Sequence, residues 1–200
     1  MRKTRTGAQT TLEGIEVVRS RRKTLALEVK APARVIVRAP MRASQKVICE
    51  FVESHRAWIA AALARVQARQ KARAQAVEQQ GLLTEEDLEA LARQARQIIP
   101  ARVEHFAARI GATYGRITLR CQKTRWGSCS TAGNLNFNVL LMLAPPEVLD
   151  YVVIHELCHR FEMNHSARFW DLVSRYDPDQ RLHRAWLKEH GSTLLARAGK

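Results

Sequence analysis

Two histidines and a glutamate have a spacing that suits metal binding and general-base catalysis. His155, Glu156 and His159 form the pattern His-Glu-x-x-His. Residues four apart on a helix lie on the same face, so both imidazoles could bind one zinc ion. Glu156 lies next to that face, where its carboxylate could act as the general base toward a water at the metal. The pattern indicates a zinc-dependent hydrolase.

A third ligand is needed, because a hydrolytic zinc site commonly has three protein ligands and one open position. His165 follows His159 by six residues, so the chain must leave the helix to bring it back. Asn164 could adopt the left-handed conformation at such a bend, and Ser166 could cap the next helix. Glu162 is the alternative ligand, since it would share the histidine face if the helix continued for another turn. We favour His165.

The motif falls within a predicted helix. This helix begins at Pro145-Pro146-Glu147, because proline is tolerated in a first turn and an acidic residue favours the positive end of the helix. The apolar residues 151–154 lead into the motif and indicate a buried, rigid support. Two further helices are predicted at about 166–175 and 179–190.

Two strands are predicted before this helix, at 116–121 and 134–142, and a turn-rich segment joins them. This segment contains Arg125 and Trp126, which are candidate substrate-binding residues. Arg125 could stabilise an oxyanion or a phosphate, and the neighbouring chain could pair with an extended substrate. The alternative is a tight turn in which Trp126 fills the core.

The N-terminal part has a different pattern. Residues 15–39 predict two or three antiparallel strands, and Ser44 suits the N-cap of a long helix that reaches about residue 73. Residues 74–83 have weak periodicity and predict a linker. We therefore expect an N-terminal β-hairpin with a long helix over 1–76, packed on a hydrolase core over 77–200.

The core should begin with a capped helix. Thr84 and Asp87 resemble a capping box, and a helix should run from there to about Ile110, kinked or divided at Pro100. The resulting fold class is α+β, with a small antiparallel sheet packed on the active-site helix and further helices around it.

Composition limits the partners and the compartment. The chain has 33 Lys and Arg against 19 Asp and Glu, a net charge of +14, which favours acidic partners such as nucleic acid or nucleotides. No apolar run approaches the ~18 residues of a membrane-spanning helix, and no apolar signal-peptide core follows the first residues. We expect a cytoplasmic protein without a membrane partner, whose four cysteines are reduced.

These motifs also resemble a known family. The sequence is similar to the YgjP-like (DUF45) metal-dependent hydrolases, which are relatives of the SprT-like and WLM zinc proteases. The resemblance lies in the segments 125–129 and 134–143, in His155–His159, and in His165, Phe169 and Trp170. It extends over nearly the whole chain, including 19–37 and 54–59.

The resemblance implies a zincin-like fold with one zinc ion per chain, in which His165 is the third ligand and Glu156 the catalytic acid and base. It implies hydrolysis of polypeptides, with nucleoside triphosphate (UTP) pyrophosphohydrolysis as the alternative. A second alternative is a nucleic-acid-associated protease that binds through the basic segments 19–23 and 65–73.

Overall fold

The computed structural model describes residues 9–12 and 14–199. The fold is α+β, as the sequence predicts, and the chain divides into two compact units, Met1–Ala72 and Arg73–Lys200. The boundary falls within a long helix. Among the helices of the described residues, none combines the length and the apolar character that crossing a bilayer requires.

In its described residues the first unit has a four-stranded sheet followed by two helices, the second of which continues into the next unit. These elements are β1 (Gln9–Leu12), β2 (Ile15–Ser20), β3 (Ala26–Lys30), β4 (Arg34–Pro40), α1 (Gln45–Ser54) and α2 (Arg56–Gln80). The strand order is β1-β2-β4-β3. β2 and β4 are parallel, whereas the other two pairs are antiparallel, so the prediction of only antiparallel strands was wrong. Alternation of apolar and polar residues identifies the buried face of a strand but not its neighbour.

The first unit has its own small core. Val17, Val37 and Ile48 are among its buried residues. Ser44 caps α1 as predicted, because its hydroxyl accepts a hydrogen bond from the Val47 amide. Arg19, a member of the basic segment 19–23, donates to backbone carbonyls at the end of β4 and in the turn before α1, at distances down to 2.7 Å. This guanidinium therefore stabilises the fold, while polyanion binding by the segment stays a prediction.

The helices of this part differ from the prediction in two respects. The expected single helix is interrupted at His55, whose backbone leaves the helical conformation. The expected linker over 74–83 is wrong for its greater part, because α2 continues to Gln80 before Gly81 adopts a φ of 73°. Alanine and glutamine have high helix propensity, which sustains a helix even where apolar periodicity is weak.

Besides the end of α2, the described residues of the second unit form a small sheet, four α-helices and a short 3₁₀ helix. The elements are α3 (Glu85–Ile110), β5 (Ile117–Arg120), β6 (Gly127–Cys129), β7 (Leu135–Asn138), a 3₁₀ helix (Val139–Leu143), α4 (Pro146–Cys158), α5 (Ala167–Tyr176) and α6 (Gln180–Arg197). The sheet order is β5-β7-β6. β5 and β7 are parallel and β6 is antiparallel to β7, so this sheet is mixed, not antiparallel as expected.

α3 begins with the predicted capping box. The Thr84 hydroxyl accepts from the Asp87 amide, and the Asp87 carboxylate accepts from the Thr84 amide. Pro100 does not divide the helix. Ala95, Ile99 and Val103 are fully buried across this position, and burial of this stripe outweighs the hydrogen bond that the proline removes.

α4 lies at the centre of the second unit. Most of its residues are buried, and Val153 and Leu157 have no exposed surface. Arg102 of α3 forms two hydrogen bonds with the Asp150 carboxylate, one of them 2.6 Å long. Such a bidentate pair, together with the apolar packing, fixes the helix that carries the motif.

β7 is shorter than predicted. The expected strand over 134–142 ends at Asn138, whose buried side chain redirects the chain into the 3₁₀ helix. Its amide nitrogen donates to the carbonyls of Gln122 and Arg125, both at 2.9 Å, and its amide oxygen accepts from the Leu140 amide. Asn138 therefore also holds the segment that contains Arg125.

Candidate metal centre

The three histidines come from the end of one helix and the loop after it. His155 lies in the last turn of α4, and His159 is its C-cap with helical dihedral angles, which keeps the two rings on one face. The chain then turns back, so that His165 precedes α5. Ser166 caps α5 as predicted, since its hydroxyl accepts from the Phe169 amide.

This arrangement brings the three imidazoles together. One ring nitrogen from each of His155, His159 and His165 lies within 4.8 Å of the others, and the Nε2 atoms of His155 and His165 are 3.0 Å apart. Two nitrogen ligands of a tetrahedral zinc ion lie about 3.4 Å apart, because each bond is about 2.1 Å long, so a bound ion would draw together any pair of these nitrogens that is wider than this. The donor set, three imidazole nitrogens, is one that zinc commonly takes, so these residues fit a zinc ion and could hold one.

Two of the rings have partners on their far nitrogen. His159 Nδ1 lies 3.0 Å from the Glu162 carbonyl oxygen, which accepts only if this nitrogen carries the proton. His155 Nδ1 lies 3.5 Å from the Tyr151 hydroxyl. Partners of this kind fix the orientation and tautomer of a ligand and leave Nε2 free for a metal.

Glu162, the alternative ligand, contributes its backbone carbonyl to His159. Its carboxylate is 3.7 Å from the Arg168 guanidinium, and the cluster found in the described residues consists of the three histidines. The helix ends before Glu162, and this is why its side chain does not continue the histidine face.

Burial keeps the inner histidines neutral. Desolvation, followed by the neighbouring histidines and Arg184, lowers the pKa of His155 to about 3. Desolvation also lowers the pKa of His159, against the opposing effect of the Glu162 carbonyl. Neutral imidazole is the form that binds a metal, so both rings can do so without first losing a proton at neutral pH.

Glu156 is next to the cluster and is almost completely buried. Only 6% of its surface is exposed, and burial raises its pKa to about 8, although a hydrogen bond from the Cys129 amide lowers it in part. A cation in the adjacent cluster would lower this pKa by favouring the carboxylate. The carboxyl group lies against the backbone of Gly127, leaving no space there for a side chain.

A cavity of about 270 Å³ opens over the histidines and Glu156; we call it the histidine cavity. Arg125 lies on its exposed rim, beside β6. Trp126 is half-buried and packs against the core, but it also lines a neighbouring cavity. The structure thus brings both residues beside Glu156, and Trp126 fills core space as well.

Three positioning residues were not identified from the sequence. Asn138 holds the Arg125 segment, and Gly127 makes room for Glu156. Arg160 follows the motif and donates to the carbonyls of Thr113 (2.8 Å) and Thr131 (3.1 Å), which ties the end of α4 to two loops. Nothing in their local sequence distinguishes these residues, because each acts on a segment that is remote in the chain.

Comparisons with known proteins found one family model and two solved structures that are similar to this chain. The family model described as YgjP-like, metallopeptidase domain, matches residues 23–87 and 83–190. No curated protein matches the chain significantly. Two solved structures are similar over 46% of this chain and 94% of their own: the metallopeptidase zymogens abylysin of Pyrococcus abyssi (22% identity, TM-score 0.41) and jannalysin of Methanocaldococcus jannaschii (20% identity, TM-score 0.40).

The family match spans most of the chain and includes the motif helix and all three histidines. It agrees with the resemblance noted in the sequence. The chain belongs to the YgjP-like metallopeptidase-domain family.

Proposed function

We propose that the chain is a zinc-dependent peptidase whose metal is held by His155, His159 and His165, with Glu156 as the general base. The observation that carries this proposal is the cluster of three histidine nitrogens within 4.8 Å beside a buried carboxyl group. When bound, zinc lowers the pKa of water toward neutrality and polarises the scissile carbonyl.

Glu156 moves the proton in this reaction. Its carboxylate accepts a proton from the water whose oxygen attacks the carbonyl carbon of the peptide bond. The protonated carboxyl group then gives that proton to the amide nitrogen as the carbon–nitrogen bond breaks. The hydrogen bond from the Cys129 amide and the close contact with Gly127 orient the carboxyl group for both transfers.

An extended polypeptide could bind along β6. In the described sheet β6 pairs with β7 on one side, and all three of its residues line the histidine cavity. Pairing with a sheet edge supplies main-chain hydrogen bonds to a polypeptide without regard to its sequence. Arg125 on the rim could bind a carbonyl oxygen or a carboxylate of the substrate.

The cavity favours a polypeptide over a nucleoside triphosphate. Arg125 is the one residue with a permanent positive charge that lines it in the described structure. Sites for triphosphates commonly combine several backbone amides of a glycine-rich loop with a lysine and a metal ion. We therefore expect zinc-loaded protein to cleave an unfolded polypeptide, as measured by mass spectrometry. In a parallel assay for pyrophosphate, we expect it to release none from UTP. Pyrophosphate release without peptide cleavage would overturn the proposal.

Gly127→Ala should displace the Glu156 carboxyl group while leaving the residue itself in place. A Cβ atom at this position would lie 2.6 Å from Oε1 and 2.7 Å from Cγ of Glu156, so the carboxyl group must move. Misplacement of a catalytic group by about 1 Å lowers the rate on the order of 100-fold. We expect that loss in kcat/KM for peptide cleavage, with zinc content unchanged by elemental analysis. A variant that cleaves at the normal rate would show that this contact does not orient the base.

A further inference from the structure

A second cavity of about 220 Å³ adjoins the histidine cavity. We call it the apolar cavity. It lies one turn back along α4, toward the beginning of that helix, and its lining reaches α6. The two cavities are adjacent, because both are lined by Arg125, Gly127, His155 and Glu156.

The walls that are specific to the apolar cavity are large and uncharged. They are formed by Trp126, Tyr151, Val152 and Leu187. The Tyr151 hydroxyl lies near His155 Nδ1, so the polar end of this side chain has a partner in the cluster. The wall that these four residues form offers apolar contact and no charge to a ligand, whereas Arg125 and Glu156 lie on the side shared with the histidine cavity.

The size of the apolar cavity limits its occupant. Sites for whole small molecules commonly enclose about 300–1,000 Å³. A cavity of about 220 Å³ is below that range and suits a single amino-acid side chain. A side chain held there would leave the rest of its residue close to Glu156 and His155, at the border with the histidine cavity, as in one residue of a longer polypeptide.

The tryptophan wall is held in place from two sides. The Trp126 carbonyl accepts a hydrogen bond from the Asn138 amide at 2.8 Å. The indole lies against the backbone of Gly191 in α6, where an added Cβ would be 3.0 Å from Nε1. A wall fixed in this way requires little ordering when a ligand binds, which favours affinity for a fitting side chain.

We propose that the apolar cavity is the specificity subsite of this protein and takes one large aliphatic or aromatic side chain of a polypeptide, from a residue next to the scissile bond. This inference rests on the proposed peptidase function. The position next to the scissile bond follows from the shared lining, since a side chain in the apolar cavity lies beside the general base and His155.

The test measures binding and cleavage separately. Zinc-loaded Glu156→Gln protein is titrated with fluorescently labelled peptides of an Ala- and Ser-rich sequence, in which one position is either Leu or Ala. The position is varied along the peptide, and binding is followed by anisotropy. We expect one position at which Leu binds at least tenfold more tightly than Ala, the discrimination that a hydrophobic pocket achieves for one or more methylene groups.

Two further variants examine the cavity itself. Leu187→Trp, combined with Glu156→Gln, fills the cavity and should remove the preference for Leu, whereas Leu187→Ala should shift it toward Phe or Trp. The matched control is Leu182→Trp, the same change on an exposed residue of the same helix, which should keep the preference for Leu. Circular dichroism establishes that each variant is folded.

The outcomes are distinguishable. Equal binding of Leu and Ala peptides at every position would overturn the subsite. A preference for Leu that Leu187→Trp leaves intact and that Leu182→Trp removes would also overturn it. Selective binding that the two Leu187 variants alter, without cleavage by the wild-type protein, would retain the subsite and overturn the peptidase function. Cleavage by the wild-type protein with the preferred residue beside the cleaved bond would support both.

Discussion

Glu156→Gln is expected to lower the rate of peptide hydrolysis by between about 100- and 10,000-fold, which is the range for loss of a general acid or base. The substituted amide has nearly the same shape as the carboxyl group and can still accept the hydrogen bond from the Cys129 amide. It cannot take a proton from the attacking water. Cleavage of a peptide substrate by wild-type and variant protein, both loaded with zinc, measures the effect.

Glu162→Gln is the matched control for this experiment. Glu162 is six residues away, and its carboxylate pairs with the exposed Arg168 instead of lining the histidine cavity. We expect this variant to retain nearly full activity, and we expect both variants to bind zinc as the wild-type protein does. Normal hydrolysis by Glu156→Gln would rule out the proposed role of this residue.

His159→Ala and His165→Ala are each expected to lose nearly all bound zinc. Each substitution leaves two protein ligands where a stable site commonly needs three. His159 is also the buried member of the cluster, and its Nδ1 contact with the Glu162 carbonyl fixes its orientation. After dialysis against a competing chelator, elemental analysis should find about one zinc per chain in the wild-type protein and little in either variant.

Two control variants remove side chains that lie outside the histidine cluster. His190→Ala, which removes an exposed histidine of α6, should leave the zinc content unchanged. Glu162→Ala should also retain zinc, since its carboxylate lies outside the histidine cluster. Full zinc content in His165→Ala together with loss in Glu162→Ala would assign the third position to the carboxylate.

Local signals in the sequence predicted where α1, α3 and α5 begin. The capping residues Ser44, Thr84 and Ser166 each accept a hydrogen bond from an amide three residues later. These interactions lie within one turn of chain, so residue types and spacing are enough to identify them. The spacing of His155 and His159 is local in the same sense.

Features that depend on remote segments were not predictable in this way. β7 ends at Asn138 because its side chain bonds to Gln122 and Arg125, and β6 was missed because its three residues lie among turn-forming ones. β2 pairs with β4 in parallel because these two strands, which are not consecutive in the chain, lie side by side in the sheet. No single segment encodes such a choice, which the packing of the whole unit decides.

At Gly191 the local preference of the helix and a contact with a remote segment favour different residues. Gly191 lies inside α6, where alanine would favour the helix by about 0.8–1.0 kcal/mol. A substitution chosen by helix propensity alone would therefore select alanine. The added methyl group would press on the Trp126 indole, which would have to shift by a few tenths of an ångström. A substitution that raises the thermal stability of the helix would thus change the shape of the apolar cavity, which the indole lines.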